Sequence, residues 1–157
     1  MMNPEIFKSM TDSRHSLLLL IEKLSEEDLT RHPVEGVWTI KDLLAHLSSW
    51  ERVTLEPMVT FAREGVYTPA PIHDENRWNA LQSQSWQGKT LSQTLDNLIS
   101  SRQELIQQVS NLPEDLLHIP VQAPWGGQET IIQILEGLAW HEEEHTKSIE
   151  NWLMERS

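Results

Sequence analysis

Ile134-Leu135-Glu136-Gly137-Leu138-Ala139-Trp140-His141-Glu142-Glu143-Glu144-His145-Thr146-Lys147-Ser148-Ile149-Glu150-Asn151-Trp152 is the stretch whose reading decides the fold. Taken at helical spacing, Ile134, Leu138, His141, His145, Ile149 and Trp152 share one line, while Glu142, Glu143 and Glu144 fall off it. Apolar residues three and four apart mark a helix with one face against a core. Two imidazoles occupy consecutive places on that face. Buried ring nitrogens are costly unless something satisfies them.

Working outward, three more segments carry the same period. The first runs from about Pro4 to Leu24, with Ile6, Met10, Leu17, Leu20 and Ile21 on one face. The second starts at Thr39, an N-cap with Asp42 three residues on, and continues through Leu43, Leu47, Trp50 and Leu55 to Gly65. The third is clearest from Leu91 to Leu112, and the last spans about Glu129 to Met154. Sustained strand alternation is absent. The expected fold is all-α: a single four-helix-bundle domain over residues 1–157, of antiparallel type, with a long crossover between helices two and three. That crossover, Gly65 to Lys89, holds Pro69, Pro71, Trp78, Trp86 and Gly88, and Asp74 to Ser83 reads as a short helix. An internal echo pairs Leu24–Val34 with Leu112–Val121. Each copy follows a helix and leads through a Trp and Gly segment into a helix that carries histidine.

The chain has 157 residues, 38% of them apolar and 23% charged, which suits one folded domain. It has no cysteine, so disulfides, thiolate metal sites and a cysteine nucleophile are excluded. Residues 1–16 lack a signal-peptide pattern, and the longest apolar run, Leu17 to Ile21, is too short for a membrane span. No membrane partner and a cytoplasmic location are expected. With a net charge of -12 and scattered Lys and Arg, nucleic acid is not expected as a partner. Seven tryptophans are many for this length, and large apolar groups left outside a core mark interfaces, so a homodimer with Trp152 near its surface is expected.

His141 and His145 stand at i and i+4, neighbours on one helical face that bind one metal ion from one side. His46, a lone histidine midway along the second helix, is the candidate third ligand from another element. Such a set leaves coordination positions for water or substrate. His15, His32, His73 and His118 stand at surface or loop positions. His141-Glu142-Glu143-Glu144-His145 also satisfies H-E-x-x-H, in which Glu142 is the general base. Those enzymes take a third ligand downstream, and no histidine follows His145. Glu51 and Glu142 remain candidates to orient imidazoles or to act as bases. Trp50, Trp78, Asn79 and Trp140 are candidates to line a substrate pocket, although core packing would explain the indoles as well. Free imidazole titrates at about 6.5, so metal affinity is expected to fall as pH drops from about 6.5 to 5.

The run Trp38-Thr39-Ile40-Lys41-Asp42-Leu43-Leu44-Ala45-His46-Leu47-Ser48-Ser49-Trp50-Glu51, with the C-terminal HxxxH, resembles the DinB-like superfamily over nearly the whole chain. The crossover with Asn76, Arg77, Trp78 and Asn79 is also similar to the branch of the colibactin self-resistance proteins, whose members often lack the full histidine set present here. The superfamily includes bacterial bacillithiol transferases and the mycothiol-dependent maleylpyruvate isomerase. The resemblance implies a four-helix bundle, a three-histidine site for a divalent metal ion (Zn or Ni) and, in many members, pairing as homodimers. It further implies a metal-dependent enzyme, either a thiol-dependent S-transferase with a low-molecular-weight thiol cosubstrate or a hydrolase, with a small electrophilic molecule as substrate. The rival reading is a non-catalytic protein of the same fold that sequesters a small toxic molecule.

Overall fold

A computed structural model describes residues 4–156. Four long helices form the bundle: α1 (Pro4–Glu22), α3 (Ile40–Leu55), α6 (Leu91–Ser110) and α7 (Ile131–Glu155). Between α1 and α3 come α2 (Glu26–Thr30) and a hairpin of β1 (Pro33–Glu35) and β2 (Trp38–Thr39). Between α6 and α7 come a 3-10 turn (Glu114–His118) and a second hairpin of β3 (Val121–Gln122) and β4 (Gln128–Glu129). The echo in the sequence is thus a repeated unit of short helix, hairpin and histidine-bearing helix. The hairpins were not foreseen because strands of two and three residues are too short to show alternation.

The helix starts follow local chemistry. Thr39, Thr90 and Thr130 each cap a long helix, and Asp42, Gln93 and Gln133 return a bond to the cap backbone. The second segment, expected to run unbroken to Gly65, divides into α3 and α4 (Met58–Glu64). Pro57 has no N–H to donate and its ring opposes a continuous helix. Gly65, at φ +71°, ends α4 in the left-handed conformation that glycine adopts without strain. The crossover carries α5 (Glu75–Trp86), capped by Asp74 and a turn longer than expected.

The core has two apolar clusters, one around Met10, Trp50, Leu105 and Ile134, the other around Leu17, Leu43, Leu98 and Ile149. Polar residues separate them on every long helix: Ser13 and Arg14 on α1, Glu51 on α3, Ser101 and Arg102 on α6, Glu142 on α7. The order of the clusters along each helix shows the direction of travel. α1 and α7 run one way, and α3 and α6 the other. The closest pairs, α1 with α7 and α3 with α6, are therefore parallel, which corrects the antiparallel expectation. Parallel neighbours cannot be joined by a tight turn, and the crossover that carries α4 and α5 spans the bundle between α3 and α6.

The middle layer is an ion network. Arg14 donates from Nε to Glu142 at 2.8 Å and from Nη2 to Glu51 at 2.8 Å. Arg102 donates from Nε to Glu51, and its Nη2 lies 3.4 Å from Glu142. Ser13 and Ser101 donate to Glu142 and Glu51, and the guanidinium groups also reach Leu98 O and Met10 O. Burial opposes the charge of Arg14, but Glu51 and Glu142 outweigh it and the net effect raises its pKa. Two guanidinium groups meet two carboxylates, so the layer is neutral and its hydrogen bonds are made.

Six of the seven tryptophans are buried or half-buried. Trp152, expected near a dimer surface, packs against the second cluster, with Arg156 over its ring at 4.6 Å. Those six indoles thus find places within one chain, and Trp140 is the exposed one. Among the described residues, no helix is long and apolar enough to cross a membrane.

Candidate metal centre

His46 lies midway along α3 on its core-facing side and is 6% exposed. His141 and His145, one turn apart on α7, are half-buried opposite it. The Nε2 atom of His141 is 3.0 Å from Nε2 of His46 and 3.0 Å from Nε2 of His145. The three ligating nitrogens all lie within 4.8 Å of one another. On the far side of its ring, His145 Nδ1 is 2.8 Å from Glu35 Oε1, on β1. A proton on Nδ1 donates to that carboxylate and leaves the Nε2 lone pair facing the other two rings. Trp38, on β2, closes over His46 with ring centroids 4.8 Å apart.

A neutral imidazole has one N–H, so His141 Nε2 cannot donate well to both neighbours. Three ring nitrogens within 4.8 Å of one another are a donor set for one cation. The donor chemistry, imidazole without thiolate, suits Zn and Ni. Burial, then the nearby His141 and His145, push the pKa of His46 down to about 3. Burial and His145 push His141 down to about 4, against an upward pull from Glu35 and Glu51. Both rings are therefore neutral, the form that ligates, well below the range expected of free imidazole.

Beside the histidines is a cavity of about 370 Å³ walled by Trp50, Trp125 and Trp140, with Glu75, Glu129 and His141 also in its lining. Trp140 is 62% exposed. Trp78 does not line the cavity. It packs on Trp50 with centroids 4.5 Å apart, while Asn79 Oδ1 accepts from Trp50 Nε1 at 3.0 Å. Helix α5 thus sets the Trp50 ring from behind. Trp125 donates from Nε1 to Glu129 Oε2 at 2.7 Å, and its ring lies so close to Gly137 that a Cβ there would sit 3.2 Å from Cζ2.

The two acidic residues expected to serve the histidines are turned elsewhere. Glu142 is fully buried and saturated by Ser13, Arg14 and Arg102, and Glu51 is held by both arginines. Neighbours in a helix are about 100° apart, so Glu142 cannot share the direction of His141. A carboxylate clamped by two guanidinium groups is a poor general base. The carboxylate that does meet an imidazole is Glu35, for which no spacing signal existed. Arg14 and Arg102 were also missed. The trace they left was a basic residue on each apolar line, Arg14 between Met10 and Leu17, Arg102 between Leu98 and Leu105.

A sequence profile of the DinB superfamily matches residues 9–149. No curated protein sequence matches the chain. Among solved structures, the colibactin self-resistance protein ClbS in complex with double-stranded DNA aligns at TM-score 0.77 and 14% identity, over 96% of this chain and 94% of that one. YfiT from Bacillus subtilis, described as a probable metal-dependent hydrolase with an unusual four-helix bundle topology, aligns at TM-score 0.74 and 17% identity, over 96% and 87%. The mycothiol-dependent maleylpyruvate isomerase aligns at 0.71 and 17%, over 92% of this chain but 60% of its own. At these identities the alignments establish the shared fold. One of them corrects the exclusion of nucleic acid. A protein of this fold has been solved on a DNA duplex, and a net charge of -12 is an average that says nothing about a local surface.

Proposed function

The chain belongs to the DinB superfamily, and from that premise we propose that it is a metal-dependent enzyme acting on a small electrophilic molecule, as a hydrolase or a thiol S-transferase. The observation that carries this reading is the convergence of the Nε2 atoms of His46, His141 and His145 beside a cavity that His141 helps to line. These three residues would hold a divalent ion, Zn or Ni. Such an ion, when bound, lowers the pKa of a bound water or keeps a thiol cosubstrate as thiolate. YfiT and the mycothiol-dependent isomerase lend support to the metal and the thiol respectively.

The rest of the work falls to the chain's own residues. Glu35 accepts the Nδ1 proton of His145, which fixes the tautomer and orientation of the ring. Trp38 covers His46 on one side. Trp50, Trp125 and Trp140 supply a largely apolar wall that excludes water and gives a small substrate flat surfaces to lie on. Glu51 and Glu142 take no part in proton transfer. They hold the four helices in register, and with them the two elements that bring His46 to His141.

The test is metal content followed by turnover. The purified protein is expected to contain a divalent ion near one equivalent. His46→Ala should lose it, whereas His15→Ala and His118→Ala should keep it. Equal retention by all three variants would refute the assignment. Turnover of an electrophile in water alone selects the hydrolase, and turnover that requires an added low-molecular-weight thiol selects the transferase. Stoichiometric uptake of the electrophile without turnover would instead favour sequestration.

A further inference from the structure

The cavity has a chemical character beyond its size. Three indoles wall it, two carboxylates stand in its lining, and no Lys or Arg is among the described residues that line it. Glu75 makes no hydrogen bond or ion pair among the described residues, so its charge is uncompensated. Glu129 gives one oxygen to Trp125 Nε1, and its other oxygen has no partner among the described residues. That bond also fixes the carboxylate against the ring that forms part of the wall. Gly137 lets the Trp125 ring lie close on α7, where a Cβ would crowd it.

Indole faces carry negative potential, and a cation close to several of them is attracted without full desolvation by a counter-charge. Carboxylates at the same site add to the attraction, and both repel an anion. We propose that the cavity recognises a small cationic molecule, a quaternary or protonated amine with an apolar portion, by cation–π contact with Trp50, Trp125 and Trp140 and by the carboxylates of Glu75 and Glu129. This rests on the reading of the cavity as the substrate site and assigns that substrate its charge. A metal ion at the histidines is itself positive, so the cationic head belongs with the two carboxylates, and the remainder of the molecule faces His141. A carboxylate-bearing ligand would meet repulsion at Glu75 and Glu129.

The experiment uses calorimetric titration of the full chain with choline, with its neutral isostere 3,3-dimethylbutan-1-ol, and with 3,3-dimethylbutanoate. Each is measured on metal-loaded and on chelator-treated protein. Choline is expected to bind about tenfold or more tightly than the neutral isostere, with the anion weakest in the chelated protein. Glu75→Gln should weaken choline severalfold and leave the neutral alcohol nearly unchanged, and Trp140→Ala should weaken both, choline severalfold more. Both side chains are exposed, so these variants should keep the fold, checked by circular dichroism. Equal binding of choline and the alcohol, no binding of choline, or indifference to both substitutions would overturn the proposal. The preference should persist in His46→Ala. Stoichiometric metal with no cation preference sinks this inference alone, and a cation preference without metal binding sinks the metal centre alone.

Discussion

His145 differs from its two partners in having its second ring nitrogen tied to a carboxylate, Glu35. That contact decides which nitrogen carries the proton and which faces the site. Loss of such a partner typically costs 10–100-fold in metal affinity. Glu35→Gln should weaken metal binding within that range, read by competition with a chromophoric chelator, and an unchanged affinity would show that Glu35 is only a surface contact. His46 and His141 define the pH behaviour. Their folded pKa values, about 3 and about 4, lie below the unfolded value of about 6.5. As pH falls, the unfolded chain takes up these protons first. The metal-free protein should therefore lose stability from about pH 6.5 downward, until pH passes below the folded values. Urea midpoints across pH 7 to 4 should fall more for the metal-free wild type than for metal-free His46→Ala. Parallel curves would mean that the ring is not depressed. Proton competition for the metal at these two rings also moves below the window of 6.5 to 5 expected of free imidazole.

At the scale of elements, the histidine positions depend on how α3 and α7 begin. Both are entered from a two-stranded hairpin, and both are capped by a threonine with a reciprocal bond three residues on. The hairpins bring two site residues with them, Glu35 to His145 and Glu129 to the cavity. Thr39→Ala should cost about 1 kcal/mol of stability, measured by urea unfolding, and should leave metal stoichiometry intact because His46 lies two turns further on. A loss of metal without a loss of stability would contradict this division of roles. The break at Pro57 matters in the same way. It turns the chain out of the bundle and starts the crossover, whose helix α5 returns to set Trp50 through Trp78 and Asn79.

For the whole molecule, the ion layer is the feature that joins all four long helices. Such a layer adds little net stability relative to apolar packing, because desolvation offsets attraction. Removing one partner is different, since it strands a buried charge. Arg102→Leu leaves Glu51 and Glu142 with Arg14 alone and should cost about 3–5 kcal/mol, seen as a lower urea midpoint at constant slope. A cost under about 1 kcal/mol would show that water reaches the layer. The layer also lies at the level of the histidines on α3 and α7, with Glu51 and Glu142 close in sequence to His46 and His141.

Helix existence, the cap at Thr39, the crossover and the three-histidine set were legible in the sequence. Period and capping are local properties, and an imidazole on an apolar line stands out against its neighbours. The pairing of parallel helices, the role of Glu35 and the capture of Glu51 and Glu142 by Arg14 and Arg102 were decided only by the tertiary structure. Those contacts join residues 37 to 128 positions apart. A carboxylate one place from a histidine in sequence points about 100° away around the helix, and what it meets there depends on which helix packs on that side. Spacing along one helix paired His141 with His145, and packing between helices decided what surrounds them, His46 and Glu35 included.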